Sequence, residues 1–343
     1  MINNFDIVFL SKQAIGNSLE MMYAVEYCLL INVKAAIYIV DSNKQFECYL
    51  RSCYGEDVVL SSLDGVFAEN LVHTFIVNEK IDIKYKNFFY ICPDAISTKY
   101  QSETEQYLSV VKALYPGGGR SDVLSFLRGN NSGGVAKLDV EKKYVIYPGC
   151  SSFAAVRRWP WYDSLINKLG EDNLIIIGGI DDLIDVYAHR YKKNVGTLFN
   201  YRLTNRKIFW KLCSRLNLLE PFAHNTFFSN AKYSYFNVFN FEELVAIFRS
   251  CKAFIGNDGG LMHLAAASGA KGLAIFGPTS VDKSKPYSSR MKAICKNYAC
   301  QPCHFGQDKI YIGNYFISCP YSVKCLEDIS VDEILHELSE IQN

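Results

Sequence analysis

Phe254-Ile-Gly-Asn-Asp-Gly-Gly-Leu-Met-His263-Leu-Ala-Ala-Ala-Ser-Gly269, followed by Ile275-Phe-Gly-Pro-Thr279, organises the reading of the whole chain. The pattern predicts a buried strand over 253–256, a polar loop with two glycines, and a short Ala-rich helix closed by Gly269. A second strand over 272–276 then runs into a Gly-Pro-Thr loop. Two strand ends thus carry an acid, an imidazole, a hydroxyl and free backbone N–H groups to one edge of a parallel sheet. Open α/β sheets bind ligands at that edge, and a helix N-terminus there attracts phosphate. A nucleotide-type ligand is the first inference.

Outward from this stretch, strand and helix signals alternate in two blocks. In the first, apolar runs at 5–10, 35–40, 57–60, 74–77 and 88–92 predict strands, and helical spacing marks 18–31 and 103–114. Turn-rich breaks follow at 115–119 and 129–134. The second block opens with a strand at 144–147, a loop at 148–152, a helix near 161–169 and a strand at 174–177. A helix over 240–251 and a terminal helix opened by Ser330-Val-Asp-Glu333, a capping-box pattern, complete it. Repeated strand–helix alternation in two blocks predicts two α/β domains with mostly parallel sheets, 1–141 and 142–326. The helix within 327–343 is expected to pack back on the N-terminal domain.

The 343 residues are 49% hydrophobic and 21% charged with a net charge of +1, the profile of a soluble globular protein. No basic excess argues for nucleic acid, and no long apolar run argues for a membrane span. With no leader-like N-terminus, a cytoplasmic location is expected, with contact at the inner membrane surface left open. Twelve cysteines then read as reduced thiols rather than a disulfide framework.

A second constellation is Pro148-Gly-Cys-Ser-Ser152 with Arg157-Arg-Trp-Pro160. Ser151 and Ser152 offer hydroxyls to phosphate oxygens, and Arg157 and Arg158 supply the fixed positive charge that a departing diphosphate needs. Gly259, Gly260 and Leu261 are expected to give N–H groups to a diphosphate, with Asp258 on a sugar hydroxyl. His263, Pro278 and Thr279 complete the expected donor site. Taken singly, Asp258 also reads as a helix cap and His263 as a core histidine.

These two segments together resemble glycosyltransferase family 9, the ADP-heptose:lipopolysaccharide heptosyltransferases and their relatives. In that family a Pro-Gly-Ala/Cys-Ser loop precedes Lys-Arg-Trp-Pro, and Asp-Thr-Gly-Leu-x-His precedes Phe-Gly-Pro-Thr. Here Arg157 stands at the lysine position and Gly259 at the threonine position. The resemblance spans roughly 144–335 and is thin before that. It implies a GT-B fold, two Rossmann-like domains with mostly parallel sheets facing across a cleft, donor in the second and acceptor mainly in the first. It also implies inverting, metal-independent transfer of a heptose from an ADP-sugar to a lipopolysaccharide core, another surface glycan, a lipid-linked glycan or a protein. No cofactor is required for that chemistry.

The family carries Gly-Asp after its first strand, the Asp being regarded as the base. This chain reads Gly16-Asn17-Ser-Leu-Glu20. An amide has no useful basic site near pH 7, so Asn17 departs from the pattern at the catalytic position. Glu20, one helical turn on, is the candidate replacement, although a helical glutamate is more often a surface residue. The alternative is a catalytically impaired sugar-nucleotide-binding protein on the same scaffold. A nicotinamide-dependent oxidoreductase is disfavoured, because no Gly-x-Gly-x-x-Gly follows the first strand.

A third constellation is Cys300-Gln-Pro-Cys303 with Cys319 and Cys325. Four such cysteines suit a closed tetrahedral thiolate site for structural zinc or iron, and equally suit reduced thiols packing a loop.

Overall fold

In the computed structural model, the apolar runs of the first block form a wholly parallel sheet: β1 (Phe5–Lys12), β2 (Ala35–Val40), β3 (Val59–Leu60), β4 (Val72–Val77) and β5 (Phe89–Ile91), in the order β3-β2-β1-β4-β5. The structure describes residues 5–12, 15–40, 44–61, 72–77, 89–91, 102–117, 124, 140–149, 157–179, 234–236, 239–302 and 323–342. A second parallel sheet comprises β6 (Tyr144–Tyr147), β7 (Leu174–Gly178), β8 (Ser234–Phe236), β9 (Ala253–Asn257), β10 (Gly272–Ile275) and β11 (Met291–Ile294). Its order is β11-β10-β9-β6-β7-β8. Parallel sheets are covered on both faces, which is why β1 and β7 are continuous apolar runs rather than alternating ones.

The helices are α1 (Ile15–Leu30), α2 (Lys44–Tyr54), α3 (Glu103–Leu114), α4 (Tyr162–Leu169), α5 (Phe241–Ser250), α6 (Gly260–Ala267), α7 (Val281–Ser284), α8 (Lys324–Glu327) and α9 (Val331–Glu340). α3 and α5 start at complete capping boxes, Ser102 with Glu105 and Asn240 with Glu243. Ser330 likewise accepts from Glu333 N at 3.1 Å. The Glu333 carboxylate is paired instead with Lys296 Nζ at 2.6 Å. Most expected elements sit within a few residues of their predicted bounds. α1 starts three residues earlier than its apolar spacing suggests, and α2, β8 and β11 had no clear periodic signal. The break at 129–134 lies outside the described residues.

α1 is buried on nearly every side, from Gly16 to Cys28. It lies between β1, α3 and, from the other block, α6. The two sheets are further joined by aromatic contacts: Phe241 of α5 against Phe46 and Tyr49 of α2, and Tyr23 of α1 edge-on to Tyr287. One continuous apolar core therefore runs through both domains.

The terminal helix corrects an expectation. α9 packs on the second sheet, not back on the N-terminal domain. Its Ile334 and Leu338, with Leu326 and Ile329, share a core with Ile255, Leu273, Ile275 and Trp159. Ion pairs of Asp332 with Lys168 and Glu337 with Lys292 flank that contact. The apolar stripe follows the nearest uncovered sheet face, and that face belongs to its own domain.

Candidate functional site

In the second sheet the strand order reverses between β6 and β9, and the crevice beyond their C-terminal ends is the topological switch point. Asn257, the last residue of β9 and fully buried, builds this crevice. Its Nδ2 donates to Pro148 O at 2.9 Å and Gly149 O at 3.0 Å. Its Oδ1 accepts from Trp159 N and Tyr162 OH, each at 3.0 Å. One side chain thus ties the loop after β6 to the end of β9. Trp159 anchors the same loop from below, donating Nε1–H to Ile329 O at 2.8 Å. Sequence reading passed over Asn257; its one signal was a polar residue ending an apolar strand.

The two arginines of this loop separate. Arg158 turns inward and donates Nε–H to Pro148 O at 3.0 Å, so it braces the loop. Arg157 Nη1 lies 3.2 Å from Asp258 Oδ2, forming an ion pair at the mouth of the crevice. The side chains are 14% and 5% exposed, close to solvent but mostly shielded from it. Immediately beyond, α6 begins at Gly260, and its first N–H groups have no acceptor within the helix. Gly259 is where the family pattern has threonine. A Cβ there would stand 3.3 Å from the Tyr147 ring, so the glycine and the tyrosine belong together. Pro278 and Thr279 lie buried beside β10, and Thr279 Oγ1 has no hydrogen-bond partner among the described residues. Ser151 and Ser152 lie outside the described residues.

The first domain meets this site at the start of α1. A Cβ on Gly16 would stand 3.0 Å from His263 Cδ2, and one on Gly260 would stand 3.3 Å from Ile15 Cβ. Asn17 is half-buried in the same turn. Glu20 is not the surface residue its type suggests: it is only 4% exposed. Its Oε1 lies 3.9 Å from His263 Nδ1, beyond hydrogen-bond length. The carboxylate of Glu103 of α3 acts on Glu20, and its Oε1 lies 3.5 Å from Lys283 Nζ of α7. Glu103 and Lys283 are the two residues of this cluster that sequence reading did not find.

Burial governs the electrostatics. Desolvation raises the Glu20 pKa well above the ordinary glutamate value, reinforced by Glu103 and Asp258 and opposed by Lys283. Desolvation also lowers that of His263 to about 4, with Asp258 pulling it up and Arg157 pushing it down. His263 is therefore a neutral imidazole at neutral pH.

Of the four cysteines, Cys303 and Cys319 lie outside the described residues. Cys300 is exposed and Cys325 buried. Both stand near Tyr298, whose pKa is raised chiefly by its hydrogen bond to Asp328, with lesser effects of burial and of both thiols. Among the described residues, no group of three or more His, Cys, Asp or Glu side chains is arranged to hold a metal.

Two parallel α/β domains, joined through the helices that start at their switch points, define a GT-B fold. The structure of the Escherichia coli ADP-heptose lps heptosyltransferase II superposes with a TM-score of 0.62 over 98% of both chains at 16% identity. The iron-containing dodecameric glycosyltransferase TibC of enterotoxigenic E. coli superposes at 0.56 over 99% of this chain and 76% of that one, at 12% identity. In sequence, residues 235–311 match the model of glycosyltransferase family 9 (heptosyltransferase). Lipooligosaccharide heptosyltransferase 2 of Campylobacter jejuni is 30% identical over 93 residues, 26% of each chain. The match spans about a quarter of that relative, and the family-model match over residues 235–311 contains Asp258, His263 and Thr279. Residues 235–311 thus resemble glycosyltransferase family 9, and the chain as a whole shares the fold of the solved heptosyltransferase.

Proposed function

We propose that the chain is a glycosyltransferase that moves a heptose, or a related sugar, from an ADP-sugar to a hydroxyl of a lipopolysaccharide core or similar surface glycan. The observation that carries this reading is the meeting of α1 and α6. The helix start and the Arg157–Asp258 pair of the second domain lie within side-chain reach of Gly16 and Glu20 of the first. A donor diphosphate at the α6 N-terminus would therefore face an acceptor held by the first domain.

In this reading the N–H groups of Gly259, Gly260 and Leu261 and the Thr279 hydroxyl take the diphosphate oxygens. Asp258 takes a sugar hydroxyl, and Arg157 neutralises the charge that builds on ADP as it leaves. Glu20 accepts the acceptor's proton as the acceptor oxygen bonds to the anomeric carbon and the carbon–phosphate oxygen bond breaks. The displacement inverts the anomeric centre and needs no metal. A base of raised pKa suits this task, and such proton transfer contributes roughly 10²–10⁴-fold. Neutral His263 packs between the domains and adds no charge beside the base. The same reading places the protein on the cytoplasmic side of the inner membrane, where such acceptors are assembled. Cys300, Cys303, Cys319 and Cys325 would form a structural zinc or iron site. Among the described residues, no helix is long and apolar enough to cross a membrane.

The test is release of ADP from ADP-heptose, with water and with a heptose-deficient lipid glycan extract as acceptors. Glu20→Gln should lower release at least 10²-fold while leaving ADP binding intact. Binding of ADP-heptose with no release under either condition would favour the impaired, nucleotide-binding alternative that Asn17 suggests.

A further inference from the structure

The loop that leaves β10, Gly277-Pro-Thr279, carries a buried hydroxyl and is held by two residues to which the proposed chemistry gives no task. Thr279 is 3% exposed, and its Oγ1 has no hydrogen-bond partner among the described residues. A buried hydroxyl left unpaired is costly, so a ligand atom is its natural partner. The loop is entered through Phe276, whose N–H donates to Ile294 O at 2.8 Å. It ends at Ser280, which caps α7 by accepting from Lys283 N at 3.3 Å. Between these points Gln301 Nε2 donates to Gly277 O. Gln301 is itself fixed: its Oε1 accepts from Tyr298 N and its N–H donates to Tyr298 O, each at 2.9 Å. From another side, the fully buried Leu326 of α8 lies against Gly277, where a Cβ would stand 2.5 Å from the leucine Cγ.

We infer that Gln301 is a positioning residue for the sugar donor: through the Gly277 carbonyl it sets where the Thr279 hydroxyl meets the diphosphate. The inference rests on the reading of Thr279 as a diphosphate ligand. An amide suits the place, because it gives an N–H to Gly277 O and an acceptor to Tyr298 N, whereas a carboxylate would set a second acceptor against the carbonyl. One residue, Pro278, separates the anchored glycine from Thr279, and its ring holds φ at about −65°. A shift of the Gly277 carbonyl is therefore passed on to the hydroxyl with little backbone freedom to absorb it. Leu326, pressed on the glycine, leaves the loop no room to settle inward. The diphosphate is present before and during the transfer, so this contact is shared by ground and transition states. Losing it should raise KM for the donor and spare kcat. In the sequence, Gln301 is only a spacer between Cys300 and Cys303; its amide gains a role when the chain after β11 folds back on the loop.

The test is a double-variant cycle: ADP affinity by calorimetry and turnover of ADP-heptose, for wild type, Gln301→Met, Thr279→Val and the two together. Methionine keeps the length of glutamine and removes both side-chain hydrogen bonds. Thr279→Val should weaken ADP binding about tenfold or more, the usual loss for a hydrogen bond to a charged group. Gln301→Met should weaken it about fivefold and raise KM for ADP-heptose in step, with kcat within about twofold of wild type. In the Thr279→Val background, Gln301→Met should change ADP affinity by less than about twofold, because the hydroxyl it positions is already gone. Losses that simply multiply would make Gln301 a general support of the fold and overturn the inference. Wild-type affinity in Gln301→Met, with Thr279→Val weakened, also overturns it while leaving Thr279 as a ligand. Wild-type affinity in Thr279→Val overturns the reading of the loop as a diphosphate site, and this inference with it. Hydrogen exchange of the wild-type protein depends on no variant: bound ADP should slow the Tyr298 N–H, which donates to Gln301. An unchanged rate at saturating ADP overturns the inference whether or not Gln301→Met folds.

Discussion

Gly16 and His263 touch across the two domains, so closely that a Cβ on the glycine would stand 3.0 Å from the imidazole Cδ2. The contact lets the first turn of α1 reach the first turn of α6. A larger side chain at Gly16 must push the ring, or the domain carrying it, away.

Gly16→Val should therefore lower ADP release from ADP-heptose more than it lowers stability. Overpacking of this kind costs about 1–3 kcal/mol. Urea unfolding and turnover measured on the same preparation check this, and unchanged turnover would show that the close approach has no catalytic role.

Arg157→Ala should leave the nearly buried Asp258 carboxylate without its cation and destabilise the protein by roughly 3 kcal/mol. Asp258→Ala should weaken ADP binding. The double variant should be more stable than the sum of the single losses, because no charge is then stranded. A thermal-melt cycle over the four proteins reads the coupling; simple additivity would mean that the pair is not formed.

Asn257→Ala removes a side chain that makes four hydrogen bonds in a fully buried position. The loss should exceed about 3 kcal/mol, since the partners remain buried without replacements. Asn257→Asp should be no better, because an oxygen would then face the carbonyls of Pro148 and Gly149. Urea midpoints give both values, and a loss under about 1 kcal/mol would mean that the loop is held by other contacts.

The buried ionisable groups give opposite pH dependences. His263 titrates near 4 when folded against 6.5 in its ordinary state, so between these values the unfolded chain binds a proton that the native state does not. Its contribution is present above pH 6.5 and lost as pH falls toward 4, up to about 3 kcal/mol. Glu20 is shifted upward, so it favours the native state at low pH and loses that contribution as pH rises past the ordinary glutamate range. His263→Gln should flatten the acid-side loss of stability, and Glu20→Gln should flatten the loss on the other side. Stability curves parallel to wild type in either variant would contradict the corresponding shift.

Protein purified without chelator should carry about one equivalent of zinc or iron if Cys300, Cys303, Cys319 and Cys325 form a tetra-thiolate site. Less than about 0.2 equivalents of the two metals combined would count heavily against it. Chelation should lower the melting temperature without abolishing ADP binding, because the metal's role is structural.

Strands and helices were readable from the chain because their signals are local. Continuous apolar runs mark β1, β7 and β9, capping residues open α3 and α5, and Gly269, with φ of +87°, closes α6. The donor segment was readable for the same reason, since Asp258, His263 and Thr279 follow one another along two strand–loop units. Burial and partnership were not readable, because they depend on residues far apart in sequence. Trp159 meets Ile329 across 170 positions, and α9 settles on its own sheet through contacts of this kind. Glu20 looked like a surface glutamate until α3, α6 and α7 closed over it. Desolvation belongs to packing, and no window of sequence around Glu20 contains the carboxyl, the imidazole or the lysine that set its proton affinity.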